Sequence, residues 1–586
     1  MTTTKKASAL GKGKTMEFIN DTLGVWMDKM AEQNGDCEAV VFDDTIVVNK
    51  GSEKEYSYRL TYRKNYRDFN ADCDRYAKAF LALGIEKGDH VAIWATNYPQ
   101  WLLTLFACAK IGAVLVTVNT AYKIHDAEYL LRQSDTKMLV MTDSFKDVSY
   151  VDIIGQLCSL ENQSPDDREI KSKRLPCLKK VITLDEKVHG SMYNWKEIAA
   201  FADKISDEEY ARAREGISVH DVVNMQYTSG TTGFPKGVML THYNIINNGK
   251  TIGDCMKFTN KDRLCVTVPL FHCFGLVLAT MASITHGTTI VLVNYYSPIK
   301  VLNTLQREKC TAVHGVPTMF IAMLEHPKFQ EVRGDGFSLR TGIMAGSPCP
   351  IKTMRQVIDE MGMKEITITY GQTEASPGCT QTTTDDPIEK RVNTVGKHFP
   401  GVETKIINPE TGETLGVNRI GEFCARGYNI MKGYYKMPEA TAQAIDKDGW
   451  LHTGDLACCD EDGYYKITGR IKDMIIRGGE NIYPKEIEDF IYTHPDVKDV
   501  QVIGVPSVAY GEEICACVIP KEGCSVTEED IKTFVSTNLA KYKTPSYVVF
   551  LDSFPMNAAG KILKYRLRSD MTEKLGLTEA GKIETA

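Results

Sequence analysis

The sequence predicts an α/β protein in which a large N-terminal domain of layered α/β subdomains precedes a small, mobile α+β C-terminal domain. A chain of 586 residues is longer than most single domains. In its first half, short apolar runs alternate with segments of helical periodicity, the pattern of α/β layers. The pattern changes near Gly469, and the remaining stretch of about a hundred residues is the size of a small domain. We assign the domains to residues 1–471 and 472–586, and expect a disordered tail at 1–17.

The elements of the first domain follow from their own patterns. The first clear helix ends at Gly84 and carries six apolar residues at helical spacing: Phe69, Cys73, Tyr76, Ala77, Phe80 and Leu81. Residues 101–111 predict a second helix. Short apolar runs predict buried strands at 90–95, 114–118, 138–141, 181–184, 289–293 and 365–369. Because helical segments separate consecutive strands, we expect much parallel pairing.

The second domain mixes the two kinds of element at shorter intervals. Helical periodicity covers residues 486–492 and 528–539, and apolar runs predict strands at 500–504, 514–519 and 548–551. This order predicts an α+β unit with its own core.

Bulk properties exclude some function classes. The net charge of −7 argues against nucleic acid as a main partner, because phosphate binding needs a basic surface. Seventeen cysteines include no C-x-x-C pair, so we expect reduced thiols and a cytoplasmic location. The apolar run at 274–284 is too short to cross a bilayer. Peripheral membrane contact and the oligomeric state stay open.

A loop rich in glycine and hydroxyl side chains carries the strongest chemical signal. Glycines let the backbone approach a phosphate and donate N–H groups, hydroxyls add donors, and a lysine adds positive charge. A flexible surface loop is the alternative. The spacing does not fit a Walker A loop, which argues against a P-loop kinase. The candidate phosphate-binding residues are Thr228, Ser229, Gly230, Thr231, Thr232, Gly233 and Lys236.

Five further segments follow this loop in a fixed order. They are PLFHCFG at 269–275, YGQTE at 370–374, HTGD at 452–455, GRIKD at 469–473 with GGEN at 478–481, and PMNAAGKI at 555–562. Together with the loop they resemble the acyl-adenylate-forming superfamily, which holds acyl-CoA synthetases, peptide-synthetase adenylation domains and beetle luciferases. The resemblance runs from about residue 18 to about residue 575. It implies ATP, Mg²⁺ and coenzyme A as ligands.

The resemblance also implies nucleotide-binding roles. Thr373 would contact phosphate, and Glu374 would hold Mg²⁺, which offsets the phosphate charge. Asp455, expected in a glycine-containing turn, would accept the ribose hydroxyls with help from Arg470. Without the neighbouring motifs, a solvated glutamate and an ordinary turn would be the better interpretations. The remaining candidates are Gly346, Ser347 and Pro348, in a loop that packs on adenine, and Tyr370, Gly371 and Gln372.

Lys561 is the predicted catalytic residue. A carboxylate and the α-phosphate repel each other, and a lysine from a mobile C-terminal loop would offset that repulsion. The resemblance places Lys472 at the hinge and the Gly478–Gly479 loop at coenzyme A. Without the resemblance, both Lys561 and Lys472 would be interpreted as solvated lysines.

The acyl-binding candidates are His272, Phe274 and Gly346. A histidine among apolar residues is more often a core residue than a ligand. The segment offers no carboxylate to pair with an amine, so an uncharged acyl tail is favoured. The stretch 370–397 resembles the medium- and long-chain fatty-acid branch of the superfamily, which implies a medium- or long-chain acid. An aryl or branched acid, a luciferase-type oxygenase and a catalytically silent binding protein are the alternatives. No nucleophilic Ser or Cys with a partnered base is evident, so a covalent acyl-enzyme is not required.

Overall fold

The chain divides into two compact units. The computed structural model describes residues 17–50, 53–228, 235–332, 337–346, 349–477, 480–507, 509–539, 541–557 and 562–578. The larger unit holds the described residues up to 403 together with 425–451, and the smaller holds 404–424 and the described residues from 452 onward. The boundary predicted between residues 471 and 472 is the place about which the smaller domain would move. That boundary stays a prediction.

A nine-stranded sheet carries the first half of the larger unit's core. Its interior strands pair in parallel, and antiparallel strands flank them at both edges. In spatial order its strands are Lys397–His398, Gly378–Gln381, Glu365–Gly371, Thr341–Met344, Ala312–Val313, Arg263–Val266, Thr289–Leu292, Glu38–Lys50 and Glu53–Asn65.

An eight-stranded sheet carries the other half of that core. Five consecutive pairings are parallel, and two antiparallel pairings close one edge. The strands in spatial order are Gly433–Tyr434, Lys236–Thr241, Val222–Thr228, Val114–Thr117, His90–Trp94, Met138–Met141, Lys180–Thr183 and Tyr193–Asn194. A two-stranded ribbon, Ser144–Phe145 with Val148–Ser149, forms a separate small sheet that packs against the strand Glu38–Lys50.

Helices connect the parallel strands of the larger unit. The α-helices are Leu23–Gln33, Tyr66–Ala82, Pro99–Ile111, Ile124–Gln133, Tyr150–Cys158, Trp195–Ile198, Asp207–Arg214, His242–Cys255, Ala282–Ile284, Pro298–Arg307, Pro317–Glu325, Pro327–Val332, Ile351–Glu360, Ile388–Asn393 and Pro438–Ala444. A π-helix spans Phe274–Met281, and 3₁₀ turns lie at Leu160–Asn162, Ala199–Lys204 and Thr373–Ala375. None of the described helices is long and apolar enough to cross a membrane.

The smaller unit contains its own core. A five-stranded sheet consists of Glu480–Ile482, Ile475–Arg477, Gly511–Pro520, Val497–Ser507 and Tyr547–Phe550. Separate apolar clusters, one around Ile487 and one around Leu567, pack against it. Its helices are Pro484–Ile491, Glu528–Asn538 and Lys564–Lys574, with 3₁₀ turns at Ile471–Asp473 and Lys541–Lys543. A four-stranded sheet, Val402–Ile407, Gly421–Gly427, Leu451–Cys459 and Tyr465–Arg470, lies mainly in this unit.

The predicted α/β class is confirmed, and most predicted elements match. The strand at Met138–Met141 has the expected bounds, and the helix at Tyr66–Ala82 ends two residues before Gly84. The structure joins none of the seventeen cysteines in a disulfide. The antiparallel hairpin of Glu38–Lys50 and Glu53–Asn65 was not predicted.

Candidate active site

Two paired strands hold the ends of the predicted phosphate loop. Thr228 ends one strand, Lys236 begins the next, and the two residues are partners across the antiparallel ladder. This pairing brings both ends of the loop to one edge of the eight-stranded sheet. The loop residues Ser229, Gly230, Thr231, Thr232 and Gly233 lie outside the described residues.

A tyrosine joins Lys236 to Glu374. The Nζ atom of Lys236 lies 4.8 Å from the centre of the Tyr434 ring, within the range of a cation–π contact. The Tyr434 hydroxyl donates a hydrogen bond to Oε1 of Glu374 at 2.8 Å. Burial, together with the Glu374 carboxylate, raises the pKa of Tyr434 above its ordinary value. The hydroxyl therefore stays protonated and serves as a permanent donor to the carboxylate.

Backbone bonds fix Glu374 in place. It lies in the 3₁₀ turn Thr373–Ala375, directly after the strand Glu365–Gly371. Its carbonyl accepts a hydrogen bond from the N–H of Met431 at 2.8 Å. The carboxylate is half-buried at the carboxyl end of a strand, where open α/β sheets bind ligands.

The segment around His272 meets the same turn. The Cys273 thiol lies 3.8 Å from the Thr373 hydroxyl. Nδ1 of His272 accepts a hydrogen bond from the N–H of Phe274 at 3.1 Å. This local backbone bond, from two residues further along the chain, orients the imidazole. Burial raises the pKa of Cys273 to about 12, so this thiol stays protonated and is not a ready nucleophile.

An apolar wall continues from Phe274. Its ring stacks on the imidazole of His314, with centroids 6.0 Å apart. His314 is fully buried, accepts from the N–H of Ile343 and lies 3.1 Å from the Leu278 carbonyl. Burial lowers its pKa to about 4, so it is a neutral core residue. A Cβ added at Gly346 would lie 3.1 Å from Val316 and 4.0 Å from the Phe274 ring.

Gly371 cannot carry a side chain in this structure. A Cβ at that position would lie 1.8 Å from the carbonyl oxygen of Pro377, the residue that precedes the paired strand Gly378–Gln381. The side chain of Asn248 secures this paired strand, because it both donates to and accepts from the backbone of Gly378 at 2.9 Å. The YGQTE turn therefore depends on close backbone approach.

We expect the Gly371→Ala variant to be less stable by about 1–3 kcal/mol, the usual cost of overpacking. The displaced strand would also shift Glu374, so adenylation should weaken along with the melting temperature. Thermal melting monitored by circular dichroism measures the first effect. Gly155→Ala is the matched control, because a Cβ added there would meet no atom within 4 Å and alanine favours a helix. Equal melting temperatures for Gly371→Ala and the wild type would contradict this account.

Asp455 and Arg470 form a pair in the smaller unit. Nε of Arg470 lies 2.8 Å from Oδ1 of Asp455. The expectation of a turn at Asp455 was wrong, because the residue lies within the strand Leu451–Cys459 opposite Arg470. Gly454, with φ of 70°, supplies the local irregularity that suggested a turn. The two side chains meet because cross-strand partners share one face of a sheet.

Glu422, which sequence reasoning missed, anchors the chain beside Asp455. Its Oε1 accepts a hydrogen bond from the N–H of Gly454, and its Oε2 lies near Nδ1 of His452, both at 3.0 Å. The Thr453 hydroxyl donates to the carbonyl of Phe423 at 2.6 Å. The HTGD segment is therefore held by the side chain of Glu422 and the backbone of Phe423 on the neighbouring strand.

The structure describes the positions of some of the other predicted residues. Lys472 is exposed in the 3₁₀ turn Ile471–Asp473. Tyr370 and Gln372 flank Gly371, and the N–H of Gln372 donates to the Pro377 carbonyl at 3.0 Å. Five further candidates lie outside the described residues: Ser347, Pro348, Gly478, Gly479 and Lys561. The roles of all the candidate residues stay predictions.

Comparisons with known proteins identify the family of this chain. Residues 28–435 match the family described as AMP-binding enzyme, and residues 486–561 match its C-terminal domain. The putative acyl-CoA synthetase YngI of Bacillus subtilis is 49% identical, over 96% of this chain and 100% of that protein. The bovine mitochondrial medium-chain acyl-CoA ligase ACSF2 is 39% identical, over 96% of this chain and 89% of that protein.

A solved structure extends the agreement to three dimensions. ATP-bound MatB from Rhodopseudomonas palustris superposes with a TM-score of 0.78 at 29% identity, covering 95% of this chain and 99% of that one. Both the sequence relatives and this structure span nearly the whole chain. The chain therefore belongs to the AMP-binding enzyme family, in the acyl-CoA synthetase branch of the acyl-adenylate-forming superfamily.

Proposed function

We propose that this enzyme uses ATP and Mg²⁺ to activate a medium- or long-chain fatty acid and transfers the acyl group to coenzyme A. The observation that carries the proposal is the contact of Tyr434 with both Lys236 and Glu374. It gathers a cation and a carboxylate at the end of the phosphate-loop strands. These are the groups that a metal-bound triphosphate needs nearby.

The first half-reaction joins two anions. A carboxylate oxygen attacks the α-phosphorus, the bond from that phosphorus to the bridging oxygen breaks, and pyrophosphate leaves. Lys236 would contact the phosphates, and Lys561 would stabilise the charge that shifts onto oxygen in the transition state. In the second half-reaction the thiolate of coenzyme A attacks the acyl carbonyl, and AMP leaves with the bonding electrons.

The donor set around Glu374 fits a hard divalent cation. Mg²⁺ prefers oxygen ligands and is usually held by one or two carboxylates together with substrate phosphates. The Tyr434 hydroxyl bonds to Oε1 of Glu374, and among the described residues no hydrogen bond occupies the second carboxylate oxygen, which would serve the metal. Bound Mg²⁺ would neutralise charge on the leaving phosphates. Thr373 and Lys236 would orient the nucleotide around it.

Nucleotide and thiol selection would use residues of the smaller unit. The Asp455 carboxylate, paired with Arg470, offers oxygen acceptors for the ribose hydroxyls. The resemblance assigns the Gly478–Gly479 loop to coenzyme A and Lys472 to the hinge. A cytoplasmic location also stays a prediction, and the name of the bovine relative assigns that protein to mitochondria.

The acyl group would lie against uncharged surfaces. Phe274, Val316 and Gly346 approach one another, and His314 behind them is neutral. A charged substrate tail would find no opposite charge there, whereas an aliphatic chain gains from apolar burial. The name of the bovine relative, a medium-chain acyl-CoA ligase, agrees with such a substrate.

A panel of carboxylic acids tests this proposal. Pyrophosphate release is measured with and without coenzyme A for straight-chain acids of increasing length and for aryl, branched and amino acids. We expect the highest kcat/KM with straight-chain fatty acids, and thioester only when coenzyme A is present. Preference for an aryl or branched acid would overturn the substrate class. ATP binding without pyrophosphate release from any acid would overturn the activity itself.

We expect Tyr434→Phe to lower kcat/KM for ATP by about tenfold or more, since a hydrogen bond to a charged group contributes about 1.5–3 kcal/mol. The aromatic ring under Lys236 remains, so the loss isolates the hydroxyl bond to Glu374. Pyrophosphate release measured against Mg²⁺ concentration should show a higher apparent Mg²⁺ requirement.

Tyr435→Phe is the matched control for this experiment. The Tyr435 hydroxyl bonds to Asp135 at 2.9 Å instead of to Glu374. That variant should keep wild-type kinetics. An unchanged Mg²⁺ requirement in Tyr434→Phe would show that Tyr434 does not position the carboxylate.

A further inference from the structure

A cluster of three different ligand types lies in the smaller unit, beside the HTGD segment. In the described part of the chain, one such group of potential metal ligands comes together: Glu422, Cys424 and His452, each offering an atom within 4.8 Å of the others. Nδ1 of His452 lies 3.0 Å from Oε2 of Glu422 and 3.7 Å from Sγ of Cys424. We call these three residues the ECH cluster.

Strand geometry explains why the ECH cluster forms. Glu422 and Cys424 are two residues apart in the strand Gly421–Gly427, so their side chains point to the same face. His452 lies near the start of the neighbouring strand Leu451–Cys459. All three ligands are therefore carried by hydrogen-bonded strands, which are more rigid than loops.

The spacing suits a tetrahedral ion. Zinc–sulfur and zinc–nitrogen bonds of about 2.3 and 2.0 Å place neighbouring ligand atoms about 3.3–3.5 Å apart. The two measured separations within the cluster, 3.0 and 3.7 Å, bracket that range. The third separation, between the ligand atoms of Glu422 and Cys424, is within 4.8 Å.

Burial supplies a protected site with one open side. Cys424 is 0% exposed and Glu422 is 8% exposed, so two ligands are already withdrawn from water. The side chain of His452 is 31% exposed, which leaves access for an ion and room for a water ligand. Three protein ligands plus water is the usual arrangement of an open zinc site.

We propose that the ECH cluster binds Zn²⁺ through Oε2 of Glu422, Sγ of Cys424 and Nδ1 of His452, with water as the fourth ligand. Sulfur and imidazole ligands favour this borderline-soft ion over Mg²⁺, which prefers oxygen alone. Binding releases the thiol proton and places the remaining imidazole proton on Nε2. The Mg²⁺ proposed at Glu374 is a separate ion.

Occupancy of this site would reach the nucleotide through Glu422. The same carboxylate accepts the N–H of Gly454, next to Asp455. Zn²⁺ bound to Oε2 would withdraw negative charge from the Glu422 carboxylate and weaken its hydrogen bond to the N–H of Gly454. Asp455 would then be held less firmly, so we expect Zn²⁺ to lower ATP affinity. This consequence rests on the proposed function, whereas the binding of zinc does not.

Metal binding is tested on the full-length protein without nucleotide, because ATP itself binds zinc. Zn²⁺ affinity is measured by competition with a chromophoric chelator, and Co²⁺ is added separately to record thiolate-to-cobalt absorption. We expect one site in the wild type with such absorption. Cys424→Ala should abolish the absorption and weaken Zn²⁺ binding at least about tenfold, since even outer-shell changes cost about 10–100-fold.

Cys458→Ala is the matched control. It removes a partly buried thiol from the strand Leu451–Cys459 without touching the ECH cluster, so it should bind both ions as the wild type does. Circular dichroism establishes that each variant is folded, and His452→Gln provides a second ligand deletion if Cys424→Ala does not fold. Equal Zn²⁺ affinity in the wild type and both ligand variants would overturn the proposal, as would a wild type without thiolate-to-cobalt absorption. The link to the nucleotide is measured separately, as ATP affinity with and without Zn²⁺ while the chelator buffers the free Zn²⁺ concentration. Equal ATP affinities of the zinc-free and zinc-loaded wild type would overturn only that link.

Discussion

Replacement of Lys561 by alanine is expected to lower adenylation by about 10²–10³-fold, because loss of one preorganised donor costs about 2.7–4 kcal/mol of activation free energy. The approach of two anions is the step that needs this cation. Attack of a thiolate on a finished acyl-adenylate does not join the carboxylate to phosphate. The second half-reaction should therefore keep near-wild-type rates.

The two half-reactions are measured separately. Pyrophosphate release reports the first, and thioester formation from supplied acyl-adenylate reports the second. Lys532→Ala removes the same charge from the same unit, at a side chain paired with Glu528 at 2.7 Å, and should leave both rates unchanged. Equal losses in both half-reactions of Lys561→Ala would contradict the assigned role.

Substitution of Lys472 by proline is expected to permit adenylation and block thioester formation. The proline ring fixes φ near −65° and disfavours helical torsions in the preceding residue, which here is Ile471 in a 3₁₀ turn. If the smaller domain must swing about residue 472 between half-reactions, a fixed torsion traps one arrangement. Acyl-adenylate should then accumulate on the enzyme.

Rapid-quench analysis of enzyme-bound acyl-adenylate measures that accumulation. Lys472→Ala separates loss of charge from loss of torsional freedom and should turn over normally, because the lysine side chain is exposed. If Lys472→Pro turned over at the wild-type rate, residue 472 would not be the hinge.

The buried elements of the fold were predictable, and the polar ones were not. Continuous apolar runs such as Met138–Met141 stand out because both faces of a parallel strand are covered. The strand Glu53–Asn65 has no buried residue and alternates exposed with half-buried side chains. Its sequence is rich in lysine, arginine and tyrosine and has no apolar run. Apolar patterning therefore does not predict this strand of thirteen residues.

The site was predictable where its residues follow one another in the chain. The YGQTE and HTGD segments carry Glu374 and Asp455 in recognisable local patterns. Tyr434 lies sixty residues from Glu374, and only the pairing of Gly433–Tyr434 with Lys236–Thr241 brings it to the carboxylate. Glu422 acts through a neighbouring strand in the same way. Such partners depend on strand order, which local patterns do not specify.

The aromatic ring between Lys236 and Glu374 bears on how the proposed nucleotide would bind. Oppositely charged side chains close together tend to neutralise each other, and an incoming nucleotide would then have to break their ion pair. Tyr434 instead contacts both groups. Its ring makes a cation–π contact with Lys236, and its hydroxyl donates a hydrogen bond to Glu374. Within the described residues, Lys236 and Glu374 form no ion pair with each other. If Lys236 contacts the phosphates and Glu374 holds the metal, as proposed, each charge would meet a different part of the metal–nucleotide, and binding would not have to break an ion pair between them first.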